Sequence, residues 1–368
     1  MSNNVDQSIK ITNEVKLLIL CARTRLNPEI KEEITQLIHK DLNWDYLIEI
    51  SSHHKLKSLL YWNLNLICSD SIPLEVMKKL NDMFHENLRK NLYFLGEIFN
   101  ILEILQSHNI EAIPYKGPIL AINTYGNLSL REFVDIDIFV SKKNILKMKN
   151  ILISNGYKTQ VQLKGFQEKI YLKTQRDYQF FNPINNTNIE IHWNFIGLSF
   201  TYPSEIFSNP KELKIIKIQN RNVLSLSSVD MLIVLCIHAS GHLWERLSWI
   251  CDISEFIQSN KDIDWQDLIK KSEKLGFKRI LQINILLAVD ILDLKLSQEI
   301  MDKMDIDEYV RNLCFDIKRN LLNFNETENG ILYKSTIRSK IRENRTDQIK
   351  DFFKIIISHL IHRLYFIY

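Results

Sequence analysis

Two aspartates two positions apart head the run Asp135-Ile136-Asp137-Ile138-Phe139-Val140. On a strand, residues two apart share a face, so Asp135 and Asp137 point together while Ile136 and Ile138 point into a core. Neighbouring carboxylates repel, and a fold that holds them side by side commonly neutralises them with a cation. Oxygen ligands of this kind suit Mg²⁺ or Mn²⁺, bound through one or two carboxylates and substrate phosphates. The alternative is a pair of solvated aspartates on an edge strand, and so short a motif does not choose between the two.

A second run, Asn188-Ile189-Glu190-Ile191-His192-Trp193, puts Glu190 and His192 on one face and two isoleucines on the other. A carboxylate between buried isoleucines needs a partner. Placed beside the aspartates, Glu190 would complete a two-metal site, but spacing does not say whether the strands are neighbours. His192 is read either as a donor to substrate or a metal-bound carboxylate, or as a satisfied core histidine. In Tyr115-Lys116-Gly117-Pro118 a strand ends, glycine allows a sharp turn and proline starts a helix. A helix start attracts anions, and Lys116 adds a point charge. Arg131, four residues before Asp135, could clamp phosphate bidentately. Taken singly, such a lysine or arginine is more often a solvated charge.

Other candidates carry less. His238 and His242 are one helical turn apart, yet Ala239-Ser240-Gly241 between them holds no glutamate, which removes the zinc-protease reading. They pack structurally, or His242 contacts the acceptor at the edge of a cleft. Arg246 and Asp252 line a substrate cavity or belong to a structural ion pair. The C-terminal run Asp351–Tyr368 is apolar with interspersed cations and reads as a core or dimer helix, with a membrane-surface helix as the alternative.

The elements that must position these groups follow from periodicity. Residues 1–108 read as helices, the longest beginning after Pro73 with Met77, Leu80, Phe84, Leu88, Leu92, Leu95, Ile98, Leu102 and Leu105 along one face. Residues 109–226 mix short β-rich runs (IEAIPY, IDIFV, DYQFFN, NIEIHW) with helices at 118–125 and about 143–155. Residues 227–368 turn helical again, with Ser227 and Asp264 as helix caps.

Composition narrows the chemistry. The 368-residue chain holds nine glycines, where average usage would give roughly 26. They are scattered singly, which excludes the dinucleotide fingerprint, the P-loop and the kinase glycine loop, all of which need glycines within about six positions. Charge is nearly balanced, 47 Lys+Arg against 44 Asp+Glu, so no nucleic-acid or membrane surface is indicated. Five dispersed cysteines without a CxxC pair, a polar N-terminus and no apolar run of membrane-spanning length lead us to expect a cytoplasmic protein.

Taken jointly, Lys116-Gly117, Tyr125-Gly126, Arg131-x-x-x-Asp135-Ile136-Asp137 and Glu190-Ile191-His192-Trp193 resemble a bacterial nucleotidyltransferase-like family of the DNA polymerase β superfamily. The flanks resemble it too: NWDYLIEISSHHKLKSLLYWNL looks like its helical N-terminal segment, and HASGHLWERLSWICDI like one of its helices. The likeness covers residues 40–260 or so. It implies an α+β protein with a polymerase β-like nucleotidyltransferase core and a mixed sheet, flanked by N-terminal helices and a C-terminal helical domain. It also implies transfer of a nucleotidyl group from a nucleoside triphosphate, ATP among them, to a hydroxyl or phosphate acceptor, a peptide or protein included. By the same likeness Asp135, Asp137 and Glu190 would hold Mg²⁺ or Mn²⁺ and act catalytically, with Lys116, Gly117 and Arg131 around the nucleotide. The chain departs from the wider superfamily at Pro118, where a second glycine or a serine is usual. Two other readings stay open: phosphoryl transfer at the same site, and a non-catalytic interaction protein of the same fold.

Overall fold

The computed structural model describes residues 9, 11–163, 165–185, 187–194, 213–323 and 331–343, so the Asp351–Tyr368 segment lies outside the described residues. Four helices open the chain: α1 Asn13–Cys21, α2 Pro28–Ile38, α3 Trp44–His53 and α4 Lys57–Cys68. Thr12, Asn27 and Asn43 cap the first three, each accepting a backbone N–H from the first turn. Helix α5, Leu74–Ser107, runs 34 residues, about 50 Å at the usual rise. Leu80, Phe84, Leu95, Ile98 and Leu105 are buried as the apolar spacing predicts, with a departure at the middle of the helix. Leu92 is exposed, whereas Asn87 and Asn91 are buried. Asn87 donates to the carbonyls of Ser129 and Arg131, and Asn91 to those of Leu128 and Arg131. Loop carbonyls facing the helix require donors, and that demand overrides the hydrophobic period at these two turns.

The central sheet contains β1 Ala112–Pro114, β2 Asp135–Val140, β3 Lys158–Thr159, β4 Asp177–Asn182 and β5 Thr187–His192 in the order β1-β2-β5-β4-β3. Strands β2 and β5 are parallel and the other pairs antiparallel, which makes the sheet mixed as expected. Helices α6 Gly117–Tyr125, α7 Ile145–Ser154 and α8 Phe166–Thr174 lie between the strands in sequence. A hairpin that the sequence reading did not single out, β6 Lys214–Ile218 with β7 Arg221–Ser225, packs its second strand near β1.

The chain then continues as α9 Ser228–Gly241, α10 Leu247–Ser259, α11 Trp265–Lys274, α12 Lys278–Leu292, α13 Gln298–Met304, α14 Glu308–Leu322 and α15 Ile331–Lys340. Ser227 and Asp264 cap α9 and α11 as expected. The segment HASGHLWERLSWICDI, expected as one helix, is broken: α9 stops at Gly241, and Leu243 and Trp244 are left-handed before α10 starts.

Two hydrophobic cores organise these elements. One lies under the sheet, with Ile136, Ile138, Ile189 and Ile191 fully buried against the second half of α5. The other joins the first helices to the last ones, with Leu17, Leu47 and Leu60 sharing a cluster with Ile250, Ile283 and Leu313. The outer thirds of the chain therefore form one helical body, and α5 spans both cores. Among the described residues no helix is long and apolar enough to cross a membrane, and the five cysteines are free and buried.

Candidate active site

The parallel pairing of β2 with β5 decides what the sequence left open. Its register sets Asp137 opposite Glu190, Asp135 opposite Asn188 and Phe139 opposite His192. The isoleucines fill the core, so the acids are forced onto the other face of the sheet. Asp137, Glu190 and His192 each offer a ligand atom, and these atoms lie within 4.8 Å of one another. His192 Nε2 bridges the two acids, 3.1 Å from Asp137 Oδ1 and 3.3 Å from Glu190 Oε2. Lys116 Nζ sits 3.0 Å from the same Asp137 oxygen, and the Tyr115 hydroxyl donates to it at 3.4 Å. Tyr115 and Lys116 arrive from the end of β1, which pairs with β2 on its other side.

The electrostatics separate the three acids. Burial alone would raise Asp137, but Lys116 and His192 hold it well below the usual carboxylate range. Hydrogen bonding from His192 lowers Glu190 as well. Burial pulls His192 down, yet its bonds to the two carboxylates prevail and keep it above the ordinary imidazole value. Asp135, half-buried at the mouth of the strand, is pushed up to about 6, first by burial and then by the Asp137 charge. Carboxylates driven apart in this way are typical of sites that need both a ligand and a proton acceptor.

Each predicted site residue has a definite place. Lys116, Asp137, Glu190 and His192 come together, and Asp135 lies on the same face outside the three-ligand group. Gly117 is left-handed (φ 55°), and a Cβ there would meet the Asp135 carbonyl oxygen at 3.4 Å. Glycine takes this left-handed backbone without strain at the turn from β1 into α6. Arg131 differs from the phosphate clamp expected of it. Its Nε and Nη2 donate to the two Asp252 oxygens at 2.7 and 2.8 Å, so the guanidinium fork is already filled. The Tyr125 hydroxyl donates to Asp252 as well, at 2.6 Å. Of the three Arg131 guanidinium nitrogens, Nη1 is the one left buried without a hydrogen-bond partner among the described residues. The ion pair foreseen near Arg246 and Asp252 thus joins Asp252 to Arg131 instead. His242, at the exposed end of α9, stacks by Trp249 rather than touching the acids.

Two contributors, Asp177 and Gln179, were not foreseen from the sequence, nor was the contact that Tyr115 makes. Gln179 Nε2 donates to Glu190 Oε1 at 3.4 Å, Asp177 lies 3.9 Å from His192 Nδ1, and Tyr115 reaches Asp137. The first two had a signal: DYQFFN alternates, so Asp177 and Gln179 share a face. Their antiparallel pairing with His192 and Glu190 carried none.

The donor set can be tested against a divalent cation. Two carboxylates and an imidazole fit a Mn²⁺ or Mg²⁺ site, with oxygen ligands in the majority. His192 Nε2 and Lys116 Nζ now supply the positive charge between the acids that such an ion would supply. Asp137, Glu190 and His192 would hold it.

A family model described as an uncharacterised nucleotidyltransferase matches residues 40–293. No curated protein and no solved structure matches the chain. The match takes in the β2–β5 acids, Lys116 and the whole stretch from α3 to the end of α12, further than the motifs alone reach. By that coverage the chain belongs to the uncharacterised nucleotidyltransferase family.

Proposed function

We propose that the protein transfers a nucleotidyl group from a nucleoside triphosphate to a hydroxyl or phosphate acceptor, a peptide or protein among the candidates. The observation that carries this reading is the parallel register that sets Asp137 beside Glu190 with Lys116 on the same carboxylate oxygen. A Mg²⁺ or Mn²⁺ ion held there would supply Lewis-acid polarisation of the triphosphate and of the acceptor oxygen. Lys116, with the start of α6 behind it, neutralises phosphate charge once it leaves Asp137. Asp135 holds a carboxylate poised near 6, largely ionised at neutral pH, and takes the acceptor proton on its side-chain oxygen. The acceptor oxygen then bonds to the α-phosphorus and pyrophosphate leaves. Residues 109–226 would form the transferring unit, between the flanking segments 1–108 and 227–368.

The test offers all four nucleoside triphosphates with Mg²⁺ or Mn²⁺ and reads bound nucleotide and product mass. Asp137→Asn should cost at least about 100-fold in turnover. An added mass of one phosphate rather than one nucleotide would replace this reading by phosphoryl transfer. Equal behaviour of wild type, Asp135→Asn and Asp137→Asn would leave a binding protein without catalysis.

A further inference from the structure

The carboxylates and Lys116 do not account for three rings that meet beside them. Between α9 and α10 the chain reverses through Leu243 and Trp244, whose φ angles of 54° and 52° are left-handed. Bulky residues adopt that conformation only where the surroundings enforce it, and such places concentrate at functional sites. Here Trp244 is fully buried, and its indole N–H donates to Asn284 Oδ1 at 2.8 Å. The turn brings the end of α9 against the start of α10. His238 and His242 lie 4.8 Å apart between ring centres, His238 and Trp249 5.6 Å, and His242 and Trp249 4.9 Å with a 30° tilt. The Arg246 guanidinium sits 5.5 Å from the Trp249 ring.

This cluster borders the same elements as the acids: α10, which carries Trp249, packs against α6, whose N-cap is Lys116. Trp249 precedes Asp252 by three residues, hence on one face of α10, and Asp252 grips Arg131 just before β2. On the α9 side, Lys116 and Asp137 both act electrostatically on His238. Burial and the Lys116 charge keep both imidazoles neutral near pH 7, His238 well below its ordinary value and His242 down to about 4. Neutral rings do not pair with phosphate. They offer a flat apolar face with hydrogen-bonding edges, and His242 is solvent-exposed.

We propose that the His242–Trp249 shelf, with Arg246 at its side, stacks the nucleobase of the triphosphate whose phosphates lie at Lys116 and Asp137. The proposal rests on the nucleotidyl-transfer reading above. A nucleobase suits the shelf because it is planar and uncharged and carries donors and acceptors along its edge. Stacking of this kind is tolerant of base identity.

The test separates base from phosphates by calorimetric titration with ATP and with inorganic tripolyphosphate, each in Mg²⁺. Trp249→Leu should weaken ATP binding roughly tenfold while leaving tripolyphosphate within about twofold, and Trp249→Phe should keep most of the ATP affinity. His242→Ala, at an exposed position, carries the same expectation if Trp249→Leu disturbs folding. Equal losses for both ligands, or no loss for either, overturn the shelf. If wild type binds tripolyphosphate and ATP binds no better, the shelf falls and the phosphate site stands. If wild type binds neither, the triphosphate reading falls and the shelf with it.

Discussion

Asp252 and Asp137 are both buried carboxylates paired with a cation, and they are partnered in opposite ways. Asp252 spreads its donors over both oxygens: Arg131 Nε and Tyr125 on one, Arg131 Nη2 on the other. One negative charge meets one positive charge in planar, bidentate geometry. Asp137 instead takes Lys116, His192 and Tyr115 on the single oxygen Oδ1, with Glu190 beside it and Asp135 two residues away. The first arrangement is complete and acts as a clasp, tying α10 and α6 to the loop that enters β2. The second holds more carboxylates than its two cations match, and it spreads their pKa values instead of closing on itself. A buried charge centre that is fully paired spends its chemistry on stability, whereas one with acid left over retains capacity for a ligand.

The largest effect expected is at the clasp. Asp252→Ala leaves the Arg131 guanidinium buried and unpaired and should cost about 3–5 kcal/mol in urea unfolding. Asp137→Asn should cost less than about 2 kcal/mol, because His192 keeps Glu190 at 3.3 Å and Lys116 still feels Asp135 and Glu190. Comparable destabilisation of the two variants would remove the contrast drawn here.

The loop between the two centres should respond next. Asn91 is fully buried, and its amide donates to the carbonyls of Leu128 and Arg131 at 2.8 and 2.9 Å. Asn91→Ala takes this donor from the Leu128 carbonyl and leaves the Arg131 carbonyl with Asn87 alone, and should cost about 2 kcal/mol. Lys90, which donates to the Phe133 carbonyl, holds the same loop. Through Arg131 and Asp135 the variant should also lower nucleotide affinity, measurable in the same titrations. A stability loss with unchanged affinity would show that the loop does not set the site.

The smallest effect is a pH dependence at Asp135. Its pKa in the fold, about 6, lies above the ordinary 3.8. The native state therefore holds this proton more tightly than the unfolded chain. Its stabilising contribution is fully present below pH 3.8 and is lost as pH rises through about 6. Asp135→Asn should then raise the melting temperature by a few degrees near neutral pH in chelator, with the gain disappearing at acid pH. A gain that persists at low pH would mean that the raised pKa is not its cause.

Much of the sheet was legible because strand chemistry is local. Asp135, Asp137, Glu190 and His192 were assigned to one face by alternation, and the fully buried isoleucines between them show why that assignment holds. Pro118 and Gly126 bracketed α6 correctly, since proline fits a helix start and Gly126 takes the left-handed cap at φ 70°. Reading failed where distant backbone or charge intervened. Leu92 was expected inside, and Asn91 is there instead because the loop carbonyls needed donors. The segment from His238 to Ile253 was expected to be continuous helix, and packing of Trp244 against Asn284 breaks it into two.

What the sequence alone determined, then, is the set of acids, the cations near them and the face each strand would show, because a two-residue period and a helix cap depend only on neighbours in the chain. Tertiary structure decided that β2 and β5 are adjacent and in the register that pairs Asp137 with Glu190. It also decided that Arg131 pairs with Asp252, 121 residues away. Spacing carries no information about a partner brought in by folding, and the strength of a buried charge pair depends wholly on which partner arrives.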